Sequence, residues 1–137
     1  MKVFLHTNVL VSAFGARGLC ADLFRYLLVE HEILTGETNI TELTRTLLEK
    51  FGASVEQTRE VESQLREHMV VPRPDIFPIR VRDPDDAIVL SAAIAGAADM
   101  LVTGDKDLLS VASKAPLPIL TPRQAWDSLR QPRTGRN

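Results

Sequence analysis

The chain has 137 residues, 45% of them hydrophobic and 25% charged, which suits one globular domain with its own core and excludes a disordered or fibrous protein. A formal net charge of -2 excludes a globally basic nucleic-acid binder, so a polynucleotide would have to be met by a local patch. The single cysteine, Cys20, excludes an internal disulfide and the usual zinc-ligand spacings, and it fits a reducing compartment and a small buried thiol. The N-terminus lacks the basic-then-apolar pattern of a secretory leader, and no apolar run approaches the roughly 18 residues that span a bilayer. A cytoplasmic protein without a membrane partner is expected.

Val3 to Leu5 predicts the first strand, an apolar run that breaks into His6-Thr7-Asn8 as a buried strand does where it delivers side chains into a site. Cys20 to Glu30 predicts a helix with Leu23, Phe24, Leu27 and Leu28 on its buried face, and Ile33-Leu34 a second strand. Ile40, Leu43, Leu47, Leu48 and Phe51 mark an amphipathic helix ended by Gly52; Ser54 opens another with Val61, Leu65 and Met69 along one side. Val70-Val71 predicts a strand, and Pro72, Pro74 and Pro78 an extended loop, because proline lacks the amide donor that helices and sheets require. Asp83-Pro84 starts a helix in which Ala87, Ile88, Leu90, Ala93 and Ile94 pack closely. Met100 to Val102 is the clearest buried strand; a short helix from Asp105 to Leu109, a strand at Ile119-Leu120 and a helix from Pro122 to Leu129 close the domain.

Alternating strands and helices imply an α/β fold, a three-layer α/β/α sandwich with a mainly parallel central sheet, in one domain over residues 1–130. Residues 131–137, with Arg133 and Arg136, are expected to form a flexible basic tail, either a solvated terminus or an RNA contact.

Three acidic clusters invite a structural explanation first. Asp83-Pro84-Asp85-Asp86 reads as an N-cap, a proline at the first helical position and two carboxylates facing the positive end of the helix dipole. Asn39 to Glu42 has capping-box spacing, and Asp105 can cap the helix after Gly104. Together, however, His6, Asp86 and Asp105 all follow turns at the carboxyl edge of the expected sheet, where α/β folds bind ligands. Carboxylates gathered there stay ionised only if a cation neutralises them, and an all-oxygen set favours magnesium or manganese over zinc.

With Val3-Phe4-Leu5-His6-Thr7-Asn8-Val9-Leu10-Val11-Ser12-Ala13, Glu42-Leu43, Asp83-Pro84-Asp85-Asp86 and Leu101-Val102-Thr103-Gly104-Asp105-Lys106-Asp107-Leu108-Leu109, the chain resembles the PIN-domain family, and within it the VapC-like toxin subunits of bacterial toxin-antitoxin pairs. The resemblance implies an Mg2+- or Mn2+-dependent ribonuclease with Glu42, Asp86 and Asp105 as catalytic, metal-binding carboxylates and Asp107 as a further acid. Asp83 is a second candidate in its cluster that also suits a cap. Thr7, Asn8, Ser12 and Thr103 match polar positions that orient the carboxylates or touch the scissile phosphate, and each also reads as a turn or cap residue. The partners implied are an RNA substrate, a small antitoxin and a second copy of the chain.

His6 departs from this pattern, which has aspartate at a metal-ligand position. A neutral imidazole offers one nitrogen in place of anionic oxygens, and a protonated one repels a cation. Impaired catalysis is the favoured expectation, whether through an introduced detoxifying change or a naturally inactive homologue, with altered metal preference as the third possibility. Two rivals of other classes stand beside the nuclease: a catalytically inactive PIN-fold binding module, and a receiver-type phosphoacceptor domain, whose acidic pair at the end of the first strand is not visible. His31 and His68 fall at helix-to-strand junctions without a nucleophile motif.

Overall fold

Five short, largely apolar runs become strands, of which the central ones are buried on both faces while the edge strand that opens at Met69 leaves that residue exposed. In a computed structural model describing residues 1–130, these are β1 (Lys2–Leu5), β2 (Glu32–Gly36), β3 (Met69–Val71), β4 (Met100–Val102) and β5 (Ile119–Leu120). The helices are α1 (Thr7–Gly15), α2 (Leu19–Glu30), α3 (Glu37–Lys50), α4 (Val55–Leu65), α5 (Pro84–Ala95), α6 (Lys106–Ser110) and α7 (Pro122–Arg130), with a 3-10 turn at Ala112–Lys114. The expected basic tail at 131–137 lies outside the described residues.

The sheet runs in the order β3-β2-β1-β4-β5, and all its pairings are parallel. Central β1 registers Val3 with Ile33 on one side and with Met100 on the other. Alternation along the strands divides the core. Val3, Leu5, Ile33, Met100 and Val102 face a layer carrying Leu10, Leu23, Leu27, Ile40, Leu43, Leu65 and Ala125 from α1, α2, α3, α4 and α7. Phe4, Leu34, Leu101 and Ile119 face α5 and α6 through Val89, Leu90, Ala92, Ala93 and Leu108. This is the three-layer sandwich that the alternation of elements implies.

Several local expectations are corrected. Residues Thr7–Gly15 form a helix that the sequence pattern does not announce, since β-branched Val9 and Val11 and polar Thr7, Asn8 and Ser12 weaken both its propensity and its apolar stripe. Met69 opens β3 instead of extending the helix after Ser54, which stops at Leu65 when the His68 amide bonds the Leu65 carbonyl in a tight turn. Leu28 and Leu48 are exposed because each lies at the flank of its helix's buried stripe, and Phe51 is exposed as the C-cap just past α3. Gly52, with φ of 65°, does end α3 as expected, and the next amide, from Ala53, returns to the Leu47 carbonyl at 3.0 Å.

Small residues let α5 lie close on the sheet. At its C-terminal end, a β-carbon on Gly96 would come within 2.8 Å of Val71 Cγ2 and 3.0 Å of Leu34 Cδ2. Gly96→Ala is therefore expected to destabilise the fold by about 1–3 kcal/mol through overpacking, despite the higher helix propensity of alanine. Urea unfolding checks this; an unchanged or raised midpoint would show that the α5 packing is looser than described.

Candidate functional site

The chain moves outward from β1 through β2 to β3 and returns on the other side with β4, so the carboxyl ends of β1 and β4 form a switch point with an open crevice. His6 leaves β1 there and Thr103 leaves β4, and the His6 amide bonds the Val102 carbonyl at 3.1 Å. His31 and His68 precede β2 and β3, at the opposite edge of the sheet.

His6 is 7% exposed and is fixed by a defined network. Its Nδ1 lies 2.8 Å from Thr103 Oγ1 and 3.3 Å from Asn8 Nδ2. Asn8 Oδ1 accepts the Gly104 amide at 3.2 Å, so its Nδ2 is correctly placed as a donor. Thr103 Oγ1 already accepts the Asp105 amide at 2.9 Å, leaving its hydroxyl proton for His6. Nδ1 is thus the acceptor and Nε2 carries the proton. Burial holds the imidazole pKa down at about 4, against the opposing pull of Asp105, so the ring is neutral at pH 7. In this tautomer it presents no spare lone pair to a cation.

Asp86 is the hub of the acidic side. It sits in the first turn of α5, 4% exposed, and its Oδ2 has no hydrogen-bond partner. Oxygens of Asp83, Asp86 and Asp107 come within 4.8 Å of one another. Burial pushes the Asp86 pKa up to about 7, assisted by the charge of Asp105, a hydrogen bond shared with it, and the charges of Asp83 and Asp107. A buried, unpartnered carboxylate oxygen ringed by further carboxylates fits a hard divalent cation of the magnesium or manganese kind.

Capping and cation binding are compatible in these residues. Asp83 caps α5 with one oxygen, accepting the Asp85 amide at 2.9 Å, and Asp105 caps α6 with one, accepting the Asp107 amide at 2.8 Å. Each keeps its second oxygen for the site. Asp83 and Asp107, secondary candidates from sequence, meet Asp86 more closely than their rank implied.

Glu42 enters from α3 and is tied to β1's end through Thr7, whose hydroxyl donates to its Oε1 at 3.0 Å. Behind Thr7 stands Asn39, fully buried, donating to Thr7 Oγ1 from 2.9 Å. The capping-box assignment of Asn39 and Glu42 is corrected: α3 begins at Glu37 with Gly36 at its N-cap, and Asn39 lies inside the helix. Its signal in the sequence is a polar residue four before Leu43 and eight before Leu47, on the buried face of the helix. Ser12 is exposed one turn beyond Asn8, on the side of the Cys20 thiol, with no hydrogen bond to the acids. Burial pushes that thiol's pKa up, which agrees with an unreactive cysteine.

A parallel sheet that gathers carboxylates at its switch point defines an α/β domain with a candidate cation site. The PIN-domain family model matches residues 2–107, and the chain belongs to the PIN-domain family. Among solved structures it is similar to VapBC2 from Rickettsia felis bound to a DNA fragment from its promoter (17% identity, TM-score 0.63, covering 88% of this chain and 98% of that one). It is also similar to PAE2754 from Pyrobaculum aerophilum (16%, 0.63, covering 96% and 91%) and to the PilT N-terminus domain protein SSO1118 from Sulfolobus solfataricus P2 (15%, 0.58, covering 100% of both). At such identities the likeness is one of fold. No curated protein matches the sequence. The family membership removes the receiver alternative. No helix among the described residues is long and apolar enough to cross a membrane.

Titration in chelator follows from these environments. Asp86, raised from 3.8 to about 7, favours the fold below 3.8 and loses that contribution as pH rises through 7. His6, lowered from 6.5 to about 4, contributes above 6.5 and loses its contribution as pH falls through 4, opposing Asp86 in the overlap. Comparing the wild type with Asp86→Asn isolates the acid. At pH 8 the variant is expected to be more stable by on the order of 1–3 kcal/mol, with the gain vanishing near pH 4. A gain independent of pH would mean that Asp86 is not strained by its charge. Apparent Mg2+ or Mn2+ affinity, measured calorimetrically, should rise with pH up to about 7 and then level off, because proton and cation compete for the same carboxylate.

Proposed function

We propose that the chain is a divalent-metal-dependent endoribonuclease of the toxin kind, with cleavage held down by His6. The observation that carries this is Asp86: a buried carboxylate with an unpartnered oxygen, surrounded by Asp83, Asp105 and Asp107 at the switch point of a PIN fold. Asp83, Asp86 and Asp107 would hold the cation, with Asp105 beside them and Glu42 facing the same edge. When bound, Mg2+ or Mn2+ lowers the pKa of a water and stabilises charge on a phosphodiester undergoing in-line attack.

The chain's own residues set the frame for that reaction. Asp86 gives up its proton to become a ligand, and the caps at Asp83 and Asp105 fix two carboxylates through backbone amides. Thr7 and Asn39 orient Glu42, while Asn8 and Thr103 orient the side chain at position 6. With the Thr7 and Thr103 hydroxyls already engaged in hydrogen bonds and no serine or cysteine beside a base, attack by water without a covalent enzyme intermediate is the simplest chemistry. His6 removes one anionic ligand, and its acceptor nitrogen is already engaged.

The second proposal, a PIN-fold module that binds without cutting, is favoured by the satisfied His6 network. The VapBC2 likeness supports a protein antitoxin and, with it, toxin function; a second copy of this chain and a cytoplasmic location belong to the same proposal.

His6→Asp is expected to raise magnesium-dependent cleavage of single-stranded RNA by about tenfold or more, and Asp86→Asn in that background to abolish the gain. Single-turnover assays across magnesium and manganese titrations check this. Equal, negligible cleavage by both forms would leave the binding module as the better account, and full activity of the His6 form would remove the claim of impairment.

A further inference from the structure

Next to Glu42, α3 and the loop after β3 enclose an open cavity of about 360 Å³ lined by Thr38, Thr41, Glu42, Arg45, Arg73 and Asp85. Its two arginines are exposed and, among the described residues, neither takes part in an ion pair. Glu37, also in the lining, is already neutralised by a two-pronged contact with Arg66, both bonds at 2.9 Å. The lining therefore mixes the carboxylates of Glu42 and Asp85 with two arginines, Arg45 and Arg73, that no ion pair occupies. In a chain of net charge -2, such a pair is the kind of patch a polynucleotide needs.

The loop between β3 and α5 extends the pattern. It carries Arg73, Arg80 and Arg82, all exposed, and between them Phe77 and Ile76 stand 47% and 74% exposed. Pro72, Pro74 and Pro78 stiffen this segment and reduce the entropy lost when a ligand settles on it. At its far end the loop delivers Asp83 to the acidic hub. An exposed aromatic among arginines suits a base with a free face, available in a single strand and hidden in a duplex.

We propose that Arg45 and Arg73 form a phosphate subsite flanking the acidic centre and that Phe77 stacks a base, seating a single-stranded RNA along α3 and the β3–α5 loop. This rests on the ribonuclease proposal for the substrate, while the subsite is testable by binding alone. Arginine forks meet phosphate oxygens in pairs, and a cation held by the acids would leave Arg45 and Arg73 free for the next phosphate along the strand.

The test is fluorescence anisotropy with a labelled, cleavage-resistant 2′-O-methyl oligouridylate in magnesium buffer over a salt titration. Arg45→Gln with Arg73→Gln is expected to weaken binding about tenfold or more and to flatten the log-log salt slope by roughly 1.4, the share of two single-strand phosphate contacts. Phe77→Ala should cost at least about fivefold with little change in slope. Arg25→Gln, on exposed α2, should match wild type. Wild-type affinity and slope in the double variant, no binding by wild type, or equal affinity for a duplex would overturn the proposal. Cleavage by His6→Asp with an unaffected double variant would sink the subsite and leave the nuclease standing. Weakened binding with no cleavage by any form would do the reverse.

Discussion

Asp86 is placed where a carboxylate is least comfortable: inside the protein, with an oxygen that bonds to nothing, and next to three other acids. Two unit charges at the separations found in this cluster repel by about 3 kcal/mol even at an effective dielectric near 20. Several such pairs are comparable to the whole stability of a small domain, roughly 5–15 kcal/mol. Without a cation the site relieves part of the repulsion by keeping a proton, hence the raised pKa of Asp86. The rest of the fold has to hold the arrangement in place. It does so through α5, whose Ile88, Val89, Leu90, Ala92 and Ala93 are buried behind the acid and fix where the first turn of the helix stands.

The same constraint explains the supporting polar groups. A cluster of acids is useful to a cation only if each carboxylate has one direction open and the other held. Asp83 and Asp105 meet that condition with backbone caps that also start their helices. Glu42, arriving from a different layer, has no backbone amide to hold it, and a side-chain relay from Asn39 through Thr7 takes that place. Thr103 links the two halves of the switch point, accepting from Asp105's amide while donating to the residue after β1.

Much of this was legible in the sequence because it rests on local chemistry. Met100-Leu101-Val102 can hardly be anything but a buried strand, and Asp83-Pro84-Asp85-Asp86 announces a helix start whatever else it does. Alternating elements sufficed for the sandwich. What was hidden depended on contacts between distant segments. Residues 7–15 are helical because Val9 and Leu10 find the core beside Leu23 and Leu43, which no local periodicity reveals. Asn39 resembled a cap because its partner is 32 residues away in sequence. Asp83 and Asp107 were ranked below Asp105 because spacing along the chain does not show which oxygens converge.

Position 6 separates what the fold requires from what the chemistry requires. It is the N-cap of α1, where an aspartate would ordinarily serve well, yet the histidine makes no capping bond at all. Its side chain turns instead to Thr103 and Asn8, and its backbone alone joins β1 to β4 and receives the first helical amides. Strand, helix and switch point are all in place with a neutral ring in the crevice. A neutral imidazole adds no charge to the repulsion around Asp86, where a carboxylate in the same place would add one. The negative charge that would suit a cation is the charge that would destabilise the metal-free cluster, and a neutral residue at position 6 falls on the side of stability.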